Sequence, residues 1–180
     1  DYASINFYQN GSGCNNTAFS VVVHHEYGHH LVAEAGSGQG EYGEGMGDVM
    51  GVILTGDSQL ARGFYSSDCN NGIRNADNNC QYSASSCSSC GSAIHPCGQL
   101  ISGCVWDTWG SLEISHPLEA TQVIRDLAIN SMPLHSGTSI NDSIVIDYIT
   151  LDDDDGNIDN GSPHYADIAY GFGIHGLDAP

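Results

Sequence analysis

The sequence predicts a mainly α-helical fold in a single domain spanning residues 1–180, and three observations support this prediction. Several stretches carry apolar residues at helical spacing, which is typical of helices with one buried face. Only one short stretch alternates apolar and polar residues as a strand does. Six of the seven cysteines lie within residues 69–104, in a Ser-, Asn- and Gly-rich segment with little periodicity. We therefore expect a helical domain with a disulfide-stapled, Cys-rich insertion over residues 57–96.

The N-terminal region predicts one short strand followed by one helix. Residues 5–8 alternate apolar and polar side chains, and the Gly-containing stretch 10–13 ends this minimal strand. The first helix is expected from about Ala18 to Glu34, with Asn16 or Thr17 as its N-cap. Its apolar stripe contains Ala18, Val22, His25, His29 and Val32. Two histidines on a buried stripe need polar partners, because unpaired polar groups are costly to bury.

A second helix is expected from about Tyr42 to Leu54, after a flexible Gly-rich turn. Glu41, Glu44 and Asp48 would share one face of this helix. Three unpaired carboxylates repel each other, so the face is either simply solvated or lies beside a cation that relieves the repulsion.

Helical patterning resumes after the insertion and continues to the end of the chain. Apolar residues at helical spacing follow Cys97, Pro117 and Ser139. A last helical stretch follows His164, with apolar residues at Tyr165, Ile168, Ala169 and Phe172. These patterns predict a helical C-terminal lobe.

Charge composition excludes some classes of partner. Three arginines and no lysine stand against 22 acidic residues, which gives a formal charge of −19. Such a surface repels phosphate groups, so nucleic acid and anionic membranes are not expected partners. Solubility in a salty medium accounts for most of this charge, and attraction of cations is a further consequence. Together with the clustered cysteines, the acidic composition predicts a secreted, extracellular protein.

The strongest motif is His25-Glu26-Tyr27-Gly28-His29, which matches the pattern H-E-x-x-H. In a helix the two histidines lie one turn apart on the same face, and Glu26 lies about 100° round from His25. This is half of a zinc site. A third protein ligand is required, with a fourth position left open for water, and the acidic face of the second helix is the natural source.

Two other segments allow metal-binding interpretations. Cys87-Ser-Ser-Cys90 has zinc-knuckle or redox spacing, but no second Cys-x-x-Cys accompanies it. The acidic run 152–155 suggests a calcium ion as a further cofactor, although Leu151 stands where an EF-hand needs its first ligand. A helix-ending turn or simple solvation accounts for this run better.

Three separated segments resemble the glutamate-zincin metallopeptidases of the thermolysin and fungalysin type. They are the zinc-helix motif at 25–29, the segment Glu44-Gly45-Met46-Gly47-Asp48, and the turn Asp159-Asn160-Gly161 that precedes His164. The resemblance implies a zincin-like catalytic helix. The metzincin pattern is excluded, because its Gly and third His are replaced by Val32 and Ala35.

The resemblance also implies a role for each site residue. By this resemblance His25, His29 and Glu44 are zinc ligands, and Asp48 lies behind them and holds His25. Asp48 as the ligand itself, as in aspartate-zincins, is the alternative. Glu26 is the general base, and His164 is the oxyanion donor, oriented by Asp159.

The function that follows is a zinc-dependent extracellular peptidase, a metalloendopeptidase that hydrolyses peptide bonds by a metal-activated water. Its partner is a protein or peptide substrate. The family carries a β-rich lobe before its zinc helix, whereas 24 residues precede His25 here. We therefore expect either one part of a larger secreted chain or an open cleft. The alternative function is a non-catalytic secreted structural or adhesive module on a metallopeptidase scaffold.

Overall fold

The structure is a computed structural model that describes residues 4–11, 16–65 and 69–180, and within these ranges it is mainly helical. Its helices are α1 (Ser20–Glu34), α2 (Gly40–Thr55), α3 (Ile94–Ser115), α4 (Ala120–Ser131), α5 (Ser143–Asp152) and α6 (Tyr165–Gly173). A 3₁₀ turn covers Ile158–Asn160, and strands β1 (Gln59–Leu60) and β2 (Arg74–Asn75) form an antiparallel pair. The prediction of a mainly α fold is confirmed.

The predicted helices are present with small shifts at their ends. α1 begins two residues after the expected start at Ala18, and α2 extends slightly beyond the expected range at both ends. α4 begins at Ala120 because residues 117–119 form a turn before it. α5 likewise begins at Ser143, after a loop that contains Ser139.

The expected N-terminal strand is absent from the structure. Residues 4–10 contain no strand, and Ile5 and Tyr8 are exposed. Tyr8 instead pairs with Thr17: its N–H donates to the Thr17 hydroxyl at 2.8 Å, and its carbonyl accepts from the Thr17 N–H at 3.1 Å. Alternation of apolar residues predicts a strand only where a neighbouring strand completes the ladder, and the described part of the chain offers none here.

α2 is the central helix of the fold. Its residues from Tyr42 to Ile53 are all buried, because α1 packs on one side of it and α3 on another. α6 and α4 in turn pack against α3. The H-E-x-x-H motif on α1 therefore faces the middle of the molecule.

Two disulfides staple the Cys-rich insertion, one within it and one to Cys97 in α3. Cys80 pairs with Cys90 and Cys87 with Cys97, with Cα–Cα distances of 5.1 and 5.3 Å. Cys104 is buried inside α3 as a thiol, and Cys14 lies outside the described residues. Disulfides of this kind fit an extracellular protein. Among the described residues, no helix is both long and apolar enough to cross a membrane.

Candidate metal centre

Three side chains from α1 and α2 converge on one point. The Nε2 atoms of His25 and His29 lie 3.1 Å apart. The Glu44 carboxylate approaches them with distances of 3.5 Å to His25 and 3.7 Å to His29. One ligand atom from each of the three residues lies within 4.8 Å of the others. The two histidines of the motif and the expected third ligand are thus brought together.

A polar side chain lies against the far side of each imidazole ring. His25 Nδ1 lies 2.8 Å from Asp48 Oδ1, and His29 Nδ1 lies 2.8 Å from Gln39 Oε1. The Gln39 amide also donates to the His29 carbonyl at 3.0 Å. Partners of this kind fix the ring orientation of metal-ligating histidines and direct Nε2 toward the ion.

Asp48 is itself fixed by Arg74, which lies on β2 within the insertion. The Arg74 guanidinium donates to both Asp48 oxygens at 2.7 Å, in bidentate geometry. Asp48 is fully buried, and the Arg74 side chain is 13% exposed. Burial lowers the pKa of Arg74, but its bonds to Asp48 outweigh this and raise the pKa overall. The carboxylate behind His25 is therefore held between a histidine and a permanent cation.

The group fits a metal ion on two grounds. Glu44 Oε2 is buried without a hydrogen-bond partner, which is costly unless something fills that coordination position. Burial lowers the pKa of His25, but the Asp48 and Glu44 carboxylates outweigh it and raise that pKa to about 9. The surroundings of His25 thus favour a positive charge, which either a proton on the ring or a cation beside it supplies. Two histidines and one glutamate are a donor set of catalytic zinc sites.

Two glycines allow the helices to approach closely enough to build this group. A Cβ at Gly47 would lie 2.7 Å from His25 Nδ1, and a Cβ at Gly28 would lie 2.8 Å from the Gly47 Cα. Each contact is too close for a real side chain. Gly28 lies inside the α1 motif and Gly47 inside the α2 segment, so the two motifs also encode the contact between their helices.

Glu26 lies next to this group, in the walls of two neighbouring cavities. The smaller, of about 270 Å³, is also lined by His25, Arg74 and His95. The larger, of about 720 Å³, is also lined by His29 and His30. A molecule bound in either cavity would lie beside Glu26.

His95, at the first turn of α3, is a site residue that sequence reasoning missed. Its Nε2 lies 3.3 Å from Glu44 Oε1, and its side chain is 55% exposed. It stands beside the group of His25, His29 and Glu44 but is not part of it. No spacing in the sequence connects His95 to the motif 70 residues earlier. Arg74 and Gln39 were missed for the same reason.

The structure does not bring His164 or Asp159 to this site. His164 lies against His116, with ring centroids 4.6 Å apart, and His116 directly follows the 22-residue helix α3. His95 lies at the other end of α3. A helix rises about 1.5 Å per residue, so the two ends are separated by about 30 Å. Asp152, rather than Asp159, holds His164: its Oδ1 lies 2.6 Å from His164 Nδ1.

The acidic run contains one group of aspartates of the kind that can hold a cation. Asp153, Asp154 and Asp155 place oxygens within 4.8 Å of one another. Oxygens of two of them accept backbone N–H groups, of Gly156 at 2.6 Å and of Asn157 at 3.0 Å. The run forms a hydrogen-bonded segment at the end of α5, and a helix-ending turn is one of the two arrangements that the sequence favoured.

Comparisons of this chain with protein-family models, with curated proteins and with solved structures return no match.

Proposed function

We propose that this protein is a zinc-dependent peptidase that cleaves peptide bonds in extracellular substrates. One observation carries the proposal: the Nε2 atoms of two histidines and the Glu44 carboxylate converge within 4.8 Å of one another, beside a cavity that Glu26 lines. A structural zinc site normally closes its fourth position with a protein ligand. Here the three ligands are accompanied by a potential base and by open cavities instead.

The residues that would hold the ion are His25, His29 and Glu44. Zinc supplies Lewis-acid chemistry at such a site, because it polarises a carbonyl group and lowers the pKa of water to about 7. Asp48 and Gln39 keep both imidazole rings in the orientation that binding requires.

Glu26 acts as the general base in this proposal. It takes a proton from the attacking water and later passes that proton to the leaving amine. Glu26 lines both cavities that flank the ligands. A substrate that lies in either of them is therefore next to Glu26.

His95 takes the role of oxyanion donor that the sequence assigned to His164. Its imidazole is half exposed and lines the same cavity as Glu26. An N–H from this ring stabilises negative charge as it develops on the carbonyl oxygen. One such donor typically contributes about 3 to 4 kcal/mol to the transition state.

The smaller cavity indicates what kind of side chain the substrate presents. Much of its wall is apolar, from Phe7, Val22, Leu60, Phe64 and Ile73. Apolar walls of this kind bind hydrophobic side chains. We propose that a hydrophobic residue of the substrate lies next to the bond that is cleaved.

The test replaces Glu26 by Gln and measures cleavage of casein by the zinc-loaded protein, with and without a chelator. Glu26→Gln is expected to retain one zinc ion at His25, His29 and Glu44 and to lose casein hydrolysis. Glu34→Gln is the matched control, because it removes the same charge from an exposed position at the end of α1. It should cleave at the parent rate.

Two outcomes would contradict the proposal. If Glu26→Gln cleaves casein as fast as the parent, Glu26 is not the base. If the parent binds zinc at this site and cleaves nothing under any condition, the non-catalytic extracellular module is the better description.

A further inference from the structure

A second group of potential metal ligands lies at the opposite end of α3, where three helix ends meet. His116 follows α3, Glu119 precedes α4 and His164 precedes α6. His116 Nδ1 lies 3.2 Å from Glu119 Oε1, and His164 Nε2 lies 3.6 Å from the same oxygen. One ligand atom of each residue lies within 4.8 Å of the others.

A buried carboxylate stands behind each histidine. Asp152, whose side chain is 5% exposed, has its Oδ1 2.6 Å from His164 Nδ1, and its Oδ2 accepts the His164 backbone N–H at 2.6 Å. Asp167 Oδ2 lies 3.8 Å from His116 Nε2. The hydroxyl groups of Ser111 and Ser115 donate to the other Asp167 oxygen at 2.5 and 2.8 Å.

This group has the same set of side chains as the first site. In both places two imidazoles and one glutamate converge, and a polar side chain approaches the far nitrogen of each imidazole. Such outer partners set which imidazole nitrogen is left for a metal. The remaining nitrogens, Nδ1 of His116 and Nε2 of His164, both point toward Glu119.

The charge around this group calls for a cation that the chain does not supply from its basic residues. Glu119, Asp152 and Asp167 place three carboxylates around two imidazoles. The chain has no lysine, and its three arginines bind elsewhere: Arg62 to Asp57, Arg74 to Asp48 and Arg125 to the Ile53 carbonyl. The basic side chains of the chain therefore supply no counter-charge to these three carboxylates, and a bound metal ion would supply one.

We propose that His116, Glu119 and His164 form a second transition-metal site, of the zinc class, that links three helix ends. Imidazole nitrogen with carboxylate oxygen suits zinc better than calcium, which prefers oxygen ligands alone. The bound ion links the ends of α3, α4 and α6, and these residues are up to 48 positions apart in the sequence. It fixes the C-terminal helix on the rest of the domain.

The experiment measures zinc stoichiometry, with Zn²⁺ alone as the probe, by titration and by elemental analysis after gel filtration. The parent is expected to bind two equivalents. Glu119→Gln should bind one equivalent of zinc, and it should act on casein in the same way as the parent. Its side chain is 58% exposed, so this variant is expected to fold. Glu113→Gln, an exposed acid on the last turn of α3, is the matched control and should bind two.

The double variant His25→Ala with His29→Ala identifies the other equivalent, and it should leave one zinc ion bound. A parent that binds a single equivalent, lost completely in this double variant, would overturn the proposal. Two equivalents retained by Glu119→Gln would overturn it as well. Neither readout requires peptidase activity, so failure of this site and failure of the proposed function are separable.

Discussion

Replacing Asp48 by Asn separates its contribution to the fold from its contribution to the metal site. Asp48 is fully buried and has two partners, Arg74 and His25. The variant removes the charge and leaves the Arg74 guanidinium largely buried without a counter-ion. Breaking a buried pair from one side costs about 3 to 5 kcal/mol of unfolding free energy. Loss of the partner behind a ligating histidine typically lowers metal affinity about 10- to 100-fold.

The two effects are distinguished by removing Arg74 as well. Replacing both members of a buried pair by neutral side chains is close to neutral for stability. We therefore expect Arg74→Met in the Asp48→Asn background to recover most of the lost unfolding free energy. It should not recover zinc affinity, because His25 Nδ1 still lacks its carboxylate. Arg74→Met alone should destabilise the fold while leaving Asp48 beside His25.

Two measurements on all four proteins provide the test. Urea unfolding in the presence of a chelator reports stability without metal, and competition with a chromophoric chelator reports zinc affinity. If Asp48→Asn binds zinc as tightly as the parent, Asp48 serves only the fold and does not orient His25. If the double variant is as unstable as the single one, the Asp48–Arg74 pair is not the reason for the instability.

Two further predictions follow from packing and burial. Gly47→Ala should lower zinc affinity by at least about 10-fold, since a Cβ there would lie 2.7 Å from His25 Nδ1. Competition with a chelator measures this affinity. An unchanged affinity would show that α1 and α2 separate without disturbing the ligands. Burial raises the pKa of Asp147 from its ordinary 3.8 to about 6. The part of the unfolding free energy that depends on a protonated Asp147 is therefore fully present below pH 3.8 and is lost as pH rises through 6. Asp147→Asn should therefore be more stable than the parent at pH 8 and equal to it at pH 3.5 in urea unfolding, and a gain that does not change with pH would contradict this cause.

The features that the sequence predicted depend on short spacings within one helix. His25 and His29 share a face of α1 because they are four residues apart, and Glu44 and Asp48 share a face of α2 for the same reason. Gly28 and Gly47 then bring the two faces together. Local periodicity was sufficient for this part of the site.

The residues that the sequence did not reveal reach the site through tertiary structure. Arg74 comes from the short sheet of a stapled insertion, and His95 comes from the start of α3. His164, by contrast, was predicted at the site and lies elsewhere. Its motif predicts a histidine held by an aspartate, and such a pair is present with Asp152, but α6 packs along the distal half of α3. Sequence order alone does not specify toward which end of α3 a helix start points.

The length of α3 also determines how the two proposed metal sites interact. About 30 Å separates His95 from His116 along this helix, whereas the screening length at physiological ionic strength is about 8 Å. Direct repulsion between two bound dications is therefore negligible at this distance. No described residue belongs to both ligand groups, so the two zinc affinities should be independent. Glu119→Gln and the His25/His29 double variant should then each remove one equivalent without changing the affinity of the other, and coupling between them would require a movement of α3 itself.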